Sequence, residues 1–124
     1  MVESIGIDIA EVARFERLVS RYGDRLVRRI LGRQEMETYL RRHDRAAFLA
    51  GRFAAKEAVV KALGKFLITR PALSELEIIN DPSGRPQLKL PDHLGTQLPR
   101  VDLQVSISHE KSFAIGLAIC TEKP

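Results

Sequence analysis

Three side chains in this sequence have types and spacings that suit joint chemistry. Glu57 and Lys61 are four residues apart in GRFAAKEAVVKALGK, residues 51–65. On a helix they share one face, about one turn from each other. Asp8 lies near the end of ESIGIDI, residues 3–9, opposite the face formed by Ile5, Ile7 and Ile9. By pattern it is not a core residue. A carboxylate left alone among FAAKEAVV would be costly to bury. One reading therefore pairs Glu57 with Lys61 as a structural ion pair. The other joins Glu57 to Asp8 on a hard divalent cation. Mg²⁺ takes oxygen ligands, needs only one or two carboxylates, and keeps waters or substrate phosphates for the rest. Structural zinc would want Cys and His instead.

A second constellation is Ser106, Ser108 and His109 in VDLQVSISH, residues 101–109. The two serines share one face of a strand and His109 closes it. A histidine there suits proton transfer or anion binding. A Ser-His-Asp nucleophilic triad finds no support, because no nucleophile elbow joins a strand to a helix. No GxxxxGKS/T loop and no GxGxxG occurs, so neither a P-loop nor a dinucleotide site is indicated.

These residues need elements to hold them. ESIGIDI alternates and predicts a strand. VARFERLVSR, residues 12–21, follows a helical period with Val12, Phe15, Leu18 and Val19 as its apolar stripe. Residues 25–31 form a short helix or turn, and RQEMETYLRR, residues 33–42, another helix. Residues 45–64 give the longest helical pattern, rich in alanine and closed by Gly64. Pro71 excludes a helix through the following loop. LSELEII (residues 73–79) and QLKL (87–90) read as a hairpin around the turn NDPSGRP. PDHLGTQLP, residues 91–99, is a turn-rich connection with room for one helical turn. VDLQVSISH directs Val101, Leu103, Val105 and Ile107 inward, and SFAIGLAIC, residues 112–120, returns as a final strand after Glu110-Lys111. The order predicts an α+β fold with an antiparallel sheet packed on one long central helix.

The 124 residues are the size of one domain, taken as 1–124. Such a small domain buries only about two-thirds of its unfolded surface, so self-association would help it. No stretch approaches a membrane span. The opening residues do not read as a secretory signal, and with one cysteine, Cys120, no intrachain disulfide can form. Both point to the cytoplasm. The net charge of +4 is unevenly placed. Residues 1–65 hold 14 Lys and Arg against 9 Asp and Glu, whereas residues 66–124 hold 6 against 7. A basic half implies an anionic partner: nucleic acid, a phosphate-rich small molecule or an acidic protein. With 5 Phe, 2 Tyr and 0 Trp, a single-strand nucleic-acid platform is poorly supplied with rings to stack on. A nucleic-acid module and a purely structural oligomer subunit are the rival readings.

IGIDIAEVARF (residues 5–15), FLAGRFAAKEAVVKALG (48–64), SGRP (83–86) and SISH (106–109) occur in this order across nearly the whole chain. Together they resemble the small acyl-carrier-protein synthases, the bacterial 4'-phosphopantetheinyl transferases. The resemblance implies that family's fold and an enzyme of fatty acid and lipid metabolism. Such an enzyme moves the phosphopantetheine arm of coenzyme A to a serine of an acyl carrier protein. It releases adenosine 3',5'-bisphosphate and needs Mg²⁺. The resemblance also implies a homotrimer with active sites between subunits, with neither nucleic acid nor membrane as partner. Asp8 and Glu57 match the metal-binding carboxylates, and Glu57 with Lys61 the catalytic pair. Lys61 lies beside the transferred phosphate. Arg52, Gly84, Arg85, Pro86 and His109 match the coenzyme site. Arg14 and Arg21 match the positions that dock the carrier. The acceptor of the serine proton stays open between Glu57 and a carboxylate-held water. Glu35, on the helical segment 33–42, is a further carboxylate that could reach a subunit boundary, ranked below these two. The chain departs from the family where a Gly-Thr-Gly turn is common: here it runs Gly64-Lys65-Phe66-Leu67-Ile68-Thr69-Arg70.

Overall fold

Small residues decide how this chain packs. In a computed structural model, which describes residues 1–98 and 100–123, the first strand β1 (Val2–Glu11) lies directly on the long helix α4 (Arg45–Leu63). A Cβ added to Gly6 would fall 1.9 Å from the carbonyl oxygen of Ala58. One added to Gly116 would fall 2.3 Å from the amide nitrogen of Ala55. The helix answers with Ala54, Ala55, Ala58 and Ala62, all buried. Backbone therefore meets backbone, closer than larger side chains would permit.

Between β1 and α4 come three shorter helices: α1 (Val12–Tyr22), α2 (Asp24–Ile30) and α3 (Arg33–Arg41). After α4 the chain forms a 3₁₀ turn over Gly64–Phe66 and another over Leu73–Glu75. It then runs through β2 (Glu77–Asn80), β3 (Pro86–Lys89), α5 (Asp92–Gly95), β4 (Val101–His109) and β5 (Phe113–Glu122). The strands form two antiparallel sheets, β1-β5-β4 and β2-β3. The expected α+β arrangement on one long helix is therefore present. The stretch 73–79 departs from expectation: its first part is a 3₁₀ turn and only Glu77–Asn80 is strand. Leu76 and Ile78 supply the buried side, which resolves the ambiguous facing. Of the expected connection 91–99, Asp92–Gly95 is helical, and Pro99, like Pro124 at the end of the chain, lies outside the described residues.

The core has two parts strung along α4. One gathers Phe15, Val27, Ile30, Tyr39, Phe48 and Leu49 beneath the short helices. The other gathers Ala58, Val59, Leu63, Leu76, Leu94 and Cys120 beneath β5 and α5. Gly6 and Ala10 turn toward the helix, with Asp8 on the same side of β1. The isoleucines are on the outer side: Ile5 is 61%, Ile7 59% and Ile9 60% exposed.

Candidate active site

Asp8 is brought to α4 by the same close approach. Two residues from Gly6 on the helix-facing side, it meets the last turn of α4 at Lys61. The Lys61 Nζ lies 3.2 Å from Asp8 Oδ1 and donates a 2.9 Å hydrogen bond to the carbonyl oxygen of Ile7. Glu57 precedes Lys61 by one helical turn. Its carboxylate does not take Lys61, as the structural-pair reading had it. It accepts a 2.6 Å bond from the guanidinium of Arg70. Each acid thus has a cation of its own. Asp8 and Lys61 line a cavity of about 380 Å³ with Ile7, Ile9 and Ile115.

The donors here are carboxylate oxygens, the ligand type a hard cation takes. Both acids are partly exposed carboxylates. Among the described residues, no group of three or more His, Cys, Asp or Glu side chains is placed to hold a metal. Asp8 and Glu57 are compatible with an ion that draws its remaining ligands from water and phosphate, the habit of Mg²⁺. They do not make a zinc cage.

Arg52 points into the protein. It is 8% exposed, with its guanidinium 4.5 Å over the ring of Phe48. Burial draws its pKa down, opposed by the nearby charge of Glu35. Its Nη2 reaches Asn80 Oδ1 at 3.4 Å, and Asn80 pairs with Pro86 across the β2–β3 hairpin. Arg52 and the Gly84-Arg85-Pro86 segment are therefore neighbours through one asparagine. That segment is held by Asp81, which accepts bonds from the amides of Ser83 (2.9 Å) and Arg85 (3.0 Å). These bonds, with the Ser83 hydroxyl foremost, keep the Asp81 carboxyl below its usual range. Gly84 supplies the positive φ of 89° that the turn requires. Arg85 and Pro86 line a cleft of about 400 Å³ shared with Ser106.

His109 lies elsewhere. It closes β4 and lines a cavity of about 540 Å³ with Glu16, His43, Asp44, Arg45 and Lys111. There the Arg42 guanidinium, 2.7 Å from Asp44, holds that carboxyl below the carboxylate range. Ser106 and Ser108 are on the exposed face of β4. Of the anticipated coenzyme residues, Arg85 and Pro86 thus line one concavity and His109 another, neither of them the Asp8–Lys61 cavity, while Arg52 is buried. Arg14 and Arg21 are exposed on α1, seven residues and so about two turns apart.

One expectation is corrected outright. Glu35 does not reach a boundary: it is 2% exposed and bonded to Lys56 Nζ (2.6 Å), Gly32 N (2.9 Å) and Ile78 N (3.1 Å). Sequence reasoning also missed Lys56, fully buried, and Arg70. A hint of Lys56 was its spacing of four from Arg52, which puts both on one face of α4 without saying that this face is buried.

Residues 4–118 match the family model described as the 4'-phosphopantetheinyl transferase superfamily. A holo-(acyl-carrier-protein) synthase of Sodalis glossinidius is 40% identical over 121 residues, covering 95% of this chain and 96% of that protein. One of Blochmanniella floridana is 38% identical over 122 residues, covering 96% and 98%. Among solved structures, the synthase of Neisseria meningitidis superposes with a TM-score of 0.89 at 27% identity, covering 98% of this chain and 100% of that one. A synthase of Bacillus anthracis in complex with CoA (3',5'-ADP) gives 0.81 at 32% identity, covering 99% of both chains.

Proposed function

The chain belongs to the 4'-phosphopantetheinyl transferase superfamily, with the holo-(acyl-carrier-protein) synthases, and on that premise we propose a Mg²⁺-dependent reaction at Asp8, Glu57 and Lys61. The chain is a phosphopantetheinyl transferase, taking the phosphopantetheine group of coenzyme A to an acyl carrier protein. In the proposed reaction a carrier serine oxygen bonds to the β-phosphorus of coenzyme A, and its proton passes to Glu57 or to a water held by a carboxylate. The bond from that phosphorus to the bridging oxygen breaks, and adenosine 3',5'-bisphosphate leaves with that oxygen. Asp8 and Glu57 would hold the Mg²⁺, which supplies charge to the diphosphate oxygens when bound. Lys61, fixed by Asp8 and the Ile7 carbonyl, offers its ammonium to the negative charge that develops on the phosphate oxygens. Arg52, Gly84, Arg85, Pro86 and His109 are the proposed coenzyme contacts. The juxtaposition of Asp8 and Lys61, residues 53 apart in sequence, is the observation that carries this reading.

The proposed assembly is a homotrimer with the active site completed across subunits. Two observations support self-association. His109 lies on a concavity apart from that of Arg85 and Pro86, and the outer sheet face carries exposed isoleucines. In the β1–β5 pairing that face lines up Ile5 with Ile119, Ile7 with Leu117 and Ile9 with Ile115. Exposed apolar surface of this continuity favours a protein partner. Arg14 and Arg21 are the proposed docking positions for the acidic carrier, which makes the encounter salt-sensitive. The cytoplasm is the proposed compartment, in keeping with a free, buried Cys120; no helix among the described residues is long and apolar enough to cross a membrane.

Incubating the protein with coenzyme A, Mg²⁺ and an apo carrier, then weighing the intact carrier, tests the reading. The expected product is carrier heavier by one phosphopantetheinyl group, and only with Mg²⁺ present. Unmodified carrier, or equal product in excess chelator, contradicts it.

A further inference from the structure

The reaction proposed above makes no use of Arg70, yet this guanidinium lies 2.6 Å from one of the two proposed metal ligands. It comes from the segment where the chain departs from its family's glycine-rich turn. The bulky residues of that segment explain how it is delivered. Phe66 and Leu67 are partly buried against the core cluster of Val59 and Leu63. They fold the chain back along α4 after the 3₁₀ turn, so that Arg70 meets Glu57, 13 residues earlier.

The charges of this arrangement cancel. Asp8 has Lys61 and Glu57 has Arg70, two carboxylates against two cations. A divalent cation arriving alone must enter a neutral cluster and displace a guanidinium from its carboxylate. A diphosphate changes the balance: it brings at least two negative charges and gives the released guanidinium another anion to pair with.

We propose that Arg70 competes with the divalent cation for Glu57, so that the free protein holds the ion weakly and takes it up together with the diphosphate of coenzyme A. This rests on the metal reading of Asp8 and Glu57. The Arg70 side chain is 58% exposed, so its replacement does not disturb the core. Lys65, on the same segment and paired with Glu3 at 3.4 Å, removes the same charge when replaced but leaves Glu57 untouched. It is the control for net charge.

Binding of Mn²⁺, followed by loss of the free-ion paramagnetic resonance signal, tests the competition with and without coenzyme A. Without coenzyme A, R70Q should bind Mn²⁺ about fivefold more tightly than the parent, and K65Q distinctly less so. With coenzyme A the advantage of R70Q should shrink. If R70Q gains no more than K65Q, or gains equally in both conditions, the competition is absent. E57Q separates the two levels. Should it lose Mn²⁺ while R70Q gains nothing, only the role of Arg70 falls. Should it bind Mn²⁺ like the parent in the presence of coenzyme A, the metal reading fails and the role of Arg70 falls with it.

Discussion

At the scale of single residues, the charge buried most deeply is one the chemistry does not use. Lys56 has no exposed side-chain surface, whereas Glu57, the next residue, keeps 19%. Lys56 Nζ donates to Glu35 and to the Ile30 carbonyl oxygen at 2.5 Å. Glu35 in turn accepts from Gly32 and Ile78. Two side chains thus tie the end of α2, the start of α3, the middle of α4 and strand β2. Desolvation pulls the Lys56 pKa down, and Glu35 opposes the shift. Removing the lysine would leave the buried Glu35 carboxylate with Arg52, 3.6 Å away, as its remaining cation, so Lys56→Met should cost about 3 kcal/mol in urea unfolding. Adding Glu35→Gln should recover part of that. A loss under about 1 kcal/mol for Lys56→Met would contradict this account of the clamp. Here the sequence was legible only in part. FAAKEAVV announced a buried charge, but α4 is covered around much of its circumference. Its period could not say whether Lys56 or Glu57 faced inward. Nor could local spacing foretell that Lys61 would leave Glu57 for Asp8, a contact made by tertiary closure.

At the scale of elements, β1 carries two messages in alternate residues. Its strand character was readable from ESIGIDI, and so was the division of faces. Which face the helix covers was not, because hydrophobicity and packing point in opposite directions. Gly6 and Ala10 accept α4 because they are small, and the larger isoleucines are left outside. The signal was present in the glycine and alanine content of both partners, read as packing rather than as hydropathy. The outer face gives a prediction of its own. Since Ile7 is 59% exposed, Ile7→Glu should change the thermal midpoint of an isolated chain little. It should nevertheless convert the proposed homotrimer to monomers in sedimentation. An unaltered assembly mass would show that the isoleucine face is not the contact.

At the scale of the whole molecule, the order of segments made the architecture readable: strand, helices, hairpin, strand pair. The locations of the acids and bases were readable too, because the motifs are local. The site's assembly was not. Arg52 turns inward to Glu35 and Asn80, His109 lies in a separate cavity from Arg85 and Pro86, and Arg70 enters from a segment with no recognisable motif. These placements depend on contacts between distant parts of the chain, which spacing alone does not encode. The molecule is also polarised, with 11 arginines between Arg14 and Arg52. The first of these lie on exposed α1, a suitable surface for steering an acidic partner.

In the proposed reaction Asp8 and Glu57 together hold a divalent cation against the coenzyme's diphosphate. Calorimetric titration of Mg²⁺ into the coenzyme A complex tests this, comparing the parent with Asp8→Asn, Glu57→Gln and, as a control on an exposed carboxylate of α3, Glu37→Gln. Each of the first two should weaken Mg²⁺ by about tenfold or more, while Glu37→Gln should bind it as the parent does. Parent-like Mg²⁺ affinity in either Asp8→Asn or Glu57→Gln would contradict it.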